Sequence, residues 1–137
     1  MAGYLNISFA VAAAAMTIAI DSVHPAAAQE GFPFGSELTL EAAPMRGSKR
    51  IPNIEIGDNG EVKLEMWCKG AEGQFSVAND TVIFIPGAVD DRDCPPDRAQ
   101  ADDNLMSALG DIANWKMQGD ALTLIGSRTL RFHLTTN

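Results

Sequence analysis

Asn53-Ile54-Glu55-Ile56-Gly57-Asp58-Asn59-Gly60-Glu61-Val62-Lys63-Leu64-Glu65-Met66 is the stretch that decides the fold. Ile54 and Ile56 alternate with Asn53, Glu55 and Gly57, and Val62, Leu64 and Met66 alternate with Lys63 and Glu65. Successive side chains of a strand point to opposite faces, so each run has one apolar and one polar face. Asn59-Gly60 stands between them, and both residues tolerate positive φ, which makes the pair a strong short signal of a tight hairpin. An antiparallel pair with one buried face is expected.

The same signals continue on both sides. Upstream, Leu38 and Leu40 alternate with Glu37, Thr39 and Glu41, a short half-buried strand. Ala43 to Pro52 carries two prolines, a glycine and the cations Arg46, Lys49 and Arg50, and reads as a surface loop with solvated charge rather than an anion site. Downstream, Gly70 to Gly73 breaks the pattern before Phe75, Val77 and a turn at Asn79-Asp80. Thr81-Val82-Ile83-Phe84-Ile85 is apolar on both faces, so a central strand is expected, ended by Pro86. Asp90-Asp91-Arg92-Asp93 lacks the ordered spacing and glycine of a calcium loop and is read as a solvated loop. Pro95-Pro96-Asp97 opens a helix, with Asp97 as cap or in the favourable first turn. Ala101, Leu105, Ala108, Leu109 and Ile112 share one helical face, and Gly110 is a natural stop. Asp102, Asp103 and Ser107 are expected on the opposite, wet face. Trp115 and Met117, then Leu122 and Leu124 after Gly119-Asp120, then Leu130, Phe132 and Leu134 after Gly126-Ser127, form a terminal β-meander. Trp67 and Trp115 are read as core or rim packing, with ligand stacking as the alternative, and His133, out of phase with its apolar neighbours, as pointing to solvent.

The N-terminal residues 1–28 have the layout of a secretory signal peptide. Tyr4 to Ile20 is an alanine-rich apolar run, and Ala26-Ala27-Ala28 places small residues at a cleavage site. No Lys or Arg precedes Arg46, so the segment's only positive charge is the terminal amine, and an uncleaved anchor is the competing reading. Cleavage leaves 109 residues: a flexible lead-in over 29–35 and one domain over 36–137. No cysteine follows the cleavage site to take a lipid, so the expected destination is the periplasm or the medium, without membrane insertion. Removing residues 1–28 takes away Asp21 and no cation, which moves the formal charge from −8 to −7. An acidic surface repels phosphate backbones and anionic headgroups, so nucleic acid and membrane surfaces are poor partners.

The two cysteines, Cys68 and Cys94, are most simply a disulfide in an exported chain. The loop it would close is worth about 3 to 4 kcal/mol in the chain-entropy model. Metal-ligating or free thiols remain the alternative, although His133 is the one histidine left after cleavage to complete a metal site.

The order of these signals resembles the META domain, the module of the heat-shock protein HslJ and related bacterial envelope proteins. The likeness runs from about Gly35 to Leu134. It is carried by Ile56-Gly57-Asp58-Asn59-Gly60, Cys68, Gly73-Gln74-Phe75, Cys94-Pro95, Leu105 with Leu109, Gly119-Asp120-Ala121-Leu122-Thr123-Leu124 and Leu130-Arg131-Phe132. Trp67-Cys68-Lys69 replaces the family's Gly-Cys-Asn, Asp91-Arg92-Asp93 stands where Thr-x-x-Ala is frequent, and the tryptophan after the opening glycine is missing, so the chain resembles a divergent member. The resemblance implies an α+β fold, mostly antiparallel β: a compact curved sheet or partly open barrel of hairpins with one helix packed on it. It brings no catalytic activity, so no site residues are carried over.

Function is less legible than fold. His133 has no nucleophile to serve if the cysteines are bridged, and no catalytic, cofactor-binding or metal-binding residue is named. The expected protein is a monomeric, non-enzymatic envelope module, without a cofactor, that binds a protein or small ligand, with a stress-related role suggested by the resemblance. A secreted peptidase inhibitor presenting the Arg46 to Pro52 loop is the alternative, and a carboxylate-based hydrolase a more distant one. Thiol titration of the denatured, unreduced protein should find no free sulfhydryl, and Cys68→Ser should lose about 3 kcal/mol of stability in urea titration.

Overall fold

The computed structural model describes residues 31–136 and the isolated Gly3. Apart from Gly3, the expected signal segment and its cleavage site lie outside the described residues. Eight strands and one helix are formed among the described residues: β1 (Ser36–Leu40), β2 (Asn53–Ile56), β3 (Glu61–Glu65), β4 (Gly70–Ala78), β5 (Thr81–Val89), α1 (Pro96–Gly110), β6 (Asn114–Gln118), β7 (Ala121–Ile125) and β8 (Thr129–Leu134). Each strand pairs antiparallel with the next, and β8 returns to β1 through Leu38 opposite Leu134 and Leu40 opposite Phe132, which closes a barrel. The sheet expected from the hairpins is therefore a complete ring.

Register explains why the ring holds together. Leu38 faces Ile54, Ile54 faces Leu64, and Ile56 faces Val62, so the apolar member of every alternation lands on the inner side. Phe75, Val82, Phe84, Leu122, Leu124 and Phe132 complete an interior in which each is at most 3% exposed. The rings of Phe75 and Phe84 meet edge-on with centroids 5.4 Å apart. The barrel interior is thus a packed core, filled by its own side chains.

The lower end of the barrel gathers the turns after β2, β4 and β6 with residues 31–35. Phe32 enters the core here, its ring centroid 5.2 Å from those of both Phe75 and Trp115. Over residues 31–35 the expected flexible lead-in is corrected accordingly: Phe32 and Pro33 are buried, because the open barrel end offers the phenylalanine an apolar site. The β2–β3 turn also differs in detail. Gly60 alone in it has positive φ, +85°, and its amide bonds to the Gly57 carbonyl, so the chain makes a type I turn followed by a left-handed glycine.

Two expectations about the middle of the chain are overturned. Gly70 to Gly73 does not break the sheet but begins β4, with a register irregularity between Ala71 and Gly73. A Cβ on Gly73 would stand 2.4 Å from the Phe84 ring and 2.9 Å from the Ile85 carbonyl oxygen, so the glycine is what lets that ring lie across the strand. β5 does not stop at Pro86 either; it runs to Val89, with Pro86 opposite Gly73. Val82 donates its amide to Ala113 on the β6 side, and by strand alternation residue 86 faces the same way, where proline has no proton to offer. β5 is also not sandwiched on both faces. Its one ladder pairing with β6 is Thr81 with Asn114, and Ile83 and Ile85 stay outside, 55% and 53% exposed. The chain between β5 and β6 is spent on α1, which leaves this seam with the weakest strand pairing in the ring.

Gly73→Ala should cost about 1 to 3 kcal/mol by overpacking against Phe84, read as a lower urea midpoint with an unchanged slope.

Candidate functional site

The upper end of the barrel carries α1, the Met66–Lys69 turn, the long loop after β1 and the short β7–β8 connection. Pro95 in extended conformation precedes the helix, Pro96 occupies its first turn and Asp97 follows without making a side-chain cap. Leu105, Ala108 and Leu109 are buried beneath the helix as its period requires, and Ile112 joins them just past its end. Gly110 is the last helical residue, but the stop is made without a left-handed turn: the Asp111 amide bonds back to the Ala108 carbonyl and the Ile112 amide to the Leu109 carbonyl.

Asp102 contradicts its expected position in water: it is 1% exposed. Its Oδ1 accepts the Trp67 amide at 2.9 Å, both oxygens accept the Cys68 amide at 3.1 and 3.4 Å, and Oδ2 accepts the Lys69 amide at 2.7 Å. Three consecutive backbone donors therefore converge on one carboxylate. The periodic signal was available, since Asp102, Leu105 and Leu109 stand at i, i+3 and i+7 on one helical face. Chemistry hid it, because an aspartate on a helix is ordinarily solvated.

The same turn is tied to the chain just ahead of α1. Cys68 and Cys94 are disulfide-bonded, with Cα atoms 6.0 Å apart. The Cys68 carbonyl accepts from Arg92 Nη1 at 2.8 Å and from Arg50 Nη1 at 3.3 Å. Arg50 also pairs with Glu65, and Arg92 with Asp90 at 3.1 Å. Asp90 accepts the Gly70 amide at 2.8 Å, which is where the first carboxylate of the acidic run is used. The loop from Arg46 to Pro52 is anchored by Arg50 and by a fully buried Pro52, while Arg46 and Lys49 are exposed. His133 points outward as expected, partly exposed on the outer wall, with its ring nitrogens 2.8 Å from Glu41 and 3.7 Å from Asp120.

Beside the clamp, α1 and the start of β8 bound a groove of about 440 Å³. Leu40, Leu105, Ala108 and Leu130 form its apolar floor and Trp67 one wall, with Asn104, Thr129 and Arg128 at the mouth. Trp67 takes this position because its backbone is fixed by Asp102 and its indole N–H faces the Ala43 carbonyl at 3.5 Å. Arg128 is positioned by its neighbour: Ser127 donates its amide to Asp111 at 2.9 Å and its hydroxyl to the same oxygen. The Ser127 hydroxyl first, then its amide, and to a lesser extent the Arg128 charge lower the Asp111 pKa. Neither tryptophan is fully buried. Trp115 sits at the opposite end against Phe32, its indole donating to the Asn79 carbonyl at 2.8 Å. Sequence reading did not anticipate the groove, because its lining comes from four separated segments.

A small closed barrel with a helix and a cross-linked turn at one end defines the structural class. Residues 35–137 match the META domain family, and the chain belongs to it. Two solved structures share the fold, both determined by NMR. One, described simply as a protein structure, is 20% identical with a TM-score of 0.56 over 73% of this chain and 89% of its own. The other, a protein from Burkholderia xenovorans, is 14% identical with a TM-score of 0.61 over 76% of this chain and 84% of its own. A search of curated proteins finds no match.

Asp102→Ala should cost about 3 kcal/mol, because it strands amides that the fold has removed from water. Asp103→Ala, on the exposed side of the same helix, should change stability by less than about 0.5 kcal/mol. Urea titration of both variants separates the clamp from a general effect of losing an acidic residue.

Proposed function

We propose that this META-domain protein is a non-enzymatic module of the cell envelope, exported through its N-terminal segment, that works by binding at the helix end of its barrel, with a role under stress. The observation that carries the reading is the groove. It lies on the most heavily cross-linked part of the molecule, with an aromatic wall held in place by the Asp102 clamp. Such preorganised apolar concavities with a few polar groups at the mouth are where small molecules and peptide segments bind. The residues most suited to covalent chemistry have other contacts: both cysteines are bonded to each other, and His133 lies beside the Glu41 and Asp120 carboxylates. The disulfide supports an oxidising compartment. Among the described residues no helix is long and apolar enough to cross a membrane.

Expressed from its full sequence in a bacterium, the protein should be recovered from the periplasm with Gln29 as its first residue. Full-length chain confined to the cytosol would overturn the export reading. Immobilised protein should retain from periplasmic extract a component that Asn104→Trp, which fills the groove from an exposed position, does not retain. Equal retention by both would remove the groove from the proposed function.

A further inference from the structure

The charge around the groove is unlike that of the rest of the molecule. The whole chain carries a formal charge of −8, yet the groove lining contains no carboxylate and one cation, Arg128. Among the described residues the guanidinium of Arg128 makes neither an ion pair nor a hydrogen bond, in contrast to Arg50, Arg92 and Arg131, which all pair with acids. The nearby Asp111 carboxylate feels the Arg128 charge, which helps to lower its pKa, but Ser127 bonds it twice and it makes no ion pair with the guanidinium. The floor and wall are otherwise aliphatic and aromatic: Leu40, Leu105, Ala108, Leu130 and Trp67.

We infer that the groove binds an apolar molecule ending in a single carboxylate, of the medium-chain fatty-acid type. The assignment deepens the proposed binding function and rests on it. The chain of such a ligand lies along the leucines and against the Trp67 indole, where its burial supplies the non-directional part of the affinity. The carboxylate meets the Arg128 guanidinium, whose planar fork presents two parallel N–H donors to two oxygens. Asn104 and Thr129 at the mouth offer neutral hydrogen bonds beside it. A volume of about 440 Å³ falls within the usual range for small-molecule sites. Selectivity for an anion is the distinctive consequence, since the acidic surface elsewhere would favour cationic amphiphiles.

The test uses decanoate, decanol and decyltrimethylammonium at concentrations below micelle formation, with the full mature protein and the indole N–H resonance of Trp67 as readout. Decanoate should shift that resonance saturably and bind at least ten-fold more tightly than decanol, with the cation weaker still. Arg128→Gln should bring decanoate down to the decanol level and leave decanol unchanged, and Asn104→Trp should abolish both. Equal binding of decanoate and decanol, undiminished decanoate binding by Arg128→Gln, or no saturable shift with any probe would each overturn the inference. Its failure is distinguishable from failure of the broader reading: if the carboxylate preference is absent while Asn104→Trp still abolishes retention from extract, the groove remains the binding site and only the ligand class falls.

Discussion

One buried carboxylate organises the upper half of the molecule. Asp102 reaches from α1 into the Met66–Lys69 turn and accepts three consecutive amides, so the helix is held by a directional, charge-assisted contact as well as by apolar packing. Leu105 and Leu109 would bury against the barrel end in more than one neighbouring register, because hydrophobic contact has no direction. The carboxylate selects one. Its desolvation is offset because every donor it meets is itself a backbone amide that the turn leaves without a partner. The Cys68–Cys94 bond, at the head of the same helix, acts differently: in the chain-entropy account it restricts the unfolded chain, whereas the clamp acts only when the native geometry is present. Covalent link and hydrogen-bond clamp are therefore complementary constraints on one turn.

Closing the ring has a consequence for function. Eight short strands surround a volume that Phe75, Phe84, Leu122, Leu124 and Phe132 fill, and Phe32 stops one end. Binding is then a matter for the outside of the barrel. The groove between α1 and β8 arises because a straight helix cannot cover a curved sheet edge completely, and the wedge left over is lined by whatever each element presents there. The seam between β5 and β6 is the other place where the ring is imperfect. Pro86 withholds a donor from that side and blunts it against pairing with another chain, while Ile83, Ile85 and Val89 leave an apolar stripe on the outer wall.

The β-hairpins were legible from sequence for a simple reason. Ile54, Ile56, Val62, Leu64, Leu122 and Leu124 obey a period of two, and the turns between their strands carry residues such as Gly60 and Gly119 that accept positive φ. The helix was legible from Leu105, Ala108 and Leu109, and the family from the sequence of short motifs around Cys68, Cys94 and Gly119. Where reading failed, a residue's own chemistry pointed away from its position. Asp102 looks solvated until three amides are brought to it from a turn 33 to 35 residues earlier in the chain. Ile83 and Ile85 look buried until β5 is seen to bury only its inner face, and Gly73 looks like a break until the Phe84 ring is placed over it.

Local pattern was therefore enough for most of the strands and turns, for the helix and for the likeness to the META domain, because propensity and periodicity act over a few residues and are written directly in the chain. Tertiary structure alone decided that the hairpins close into a ring, that Asp102 rather than Asp103 turns inward, that Phe32 plugs the lower end, and that Leu40, Trp67, Leu105 and Arg128 line one groove. Each of those depends on partners far apart in sequence. Only the closed register brings them into contact.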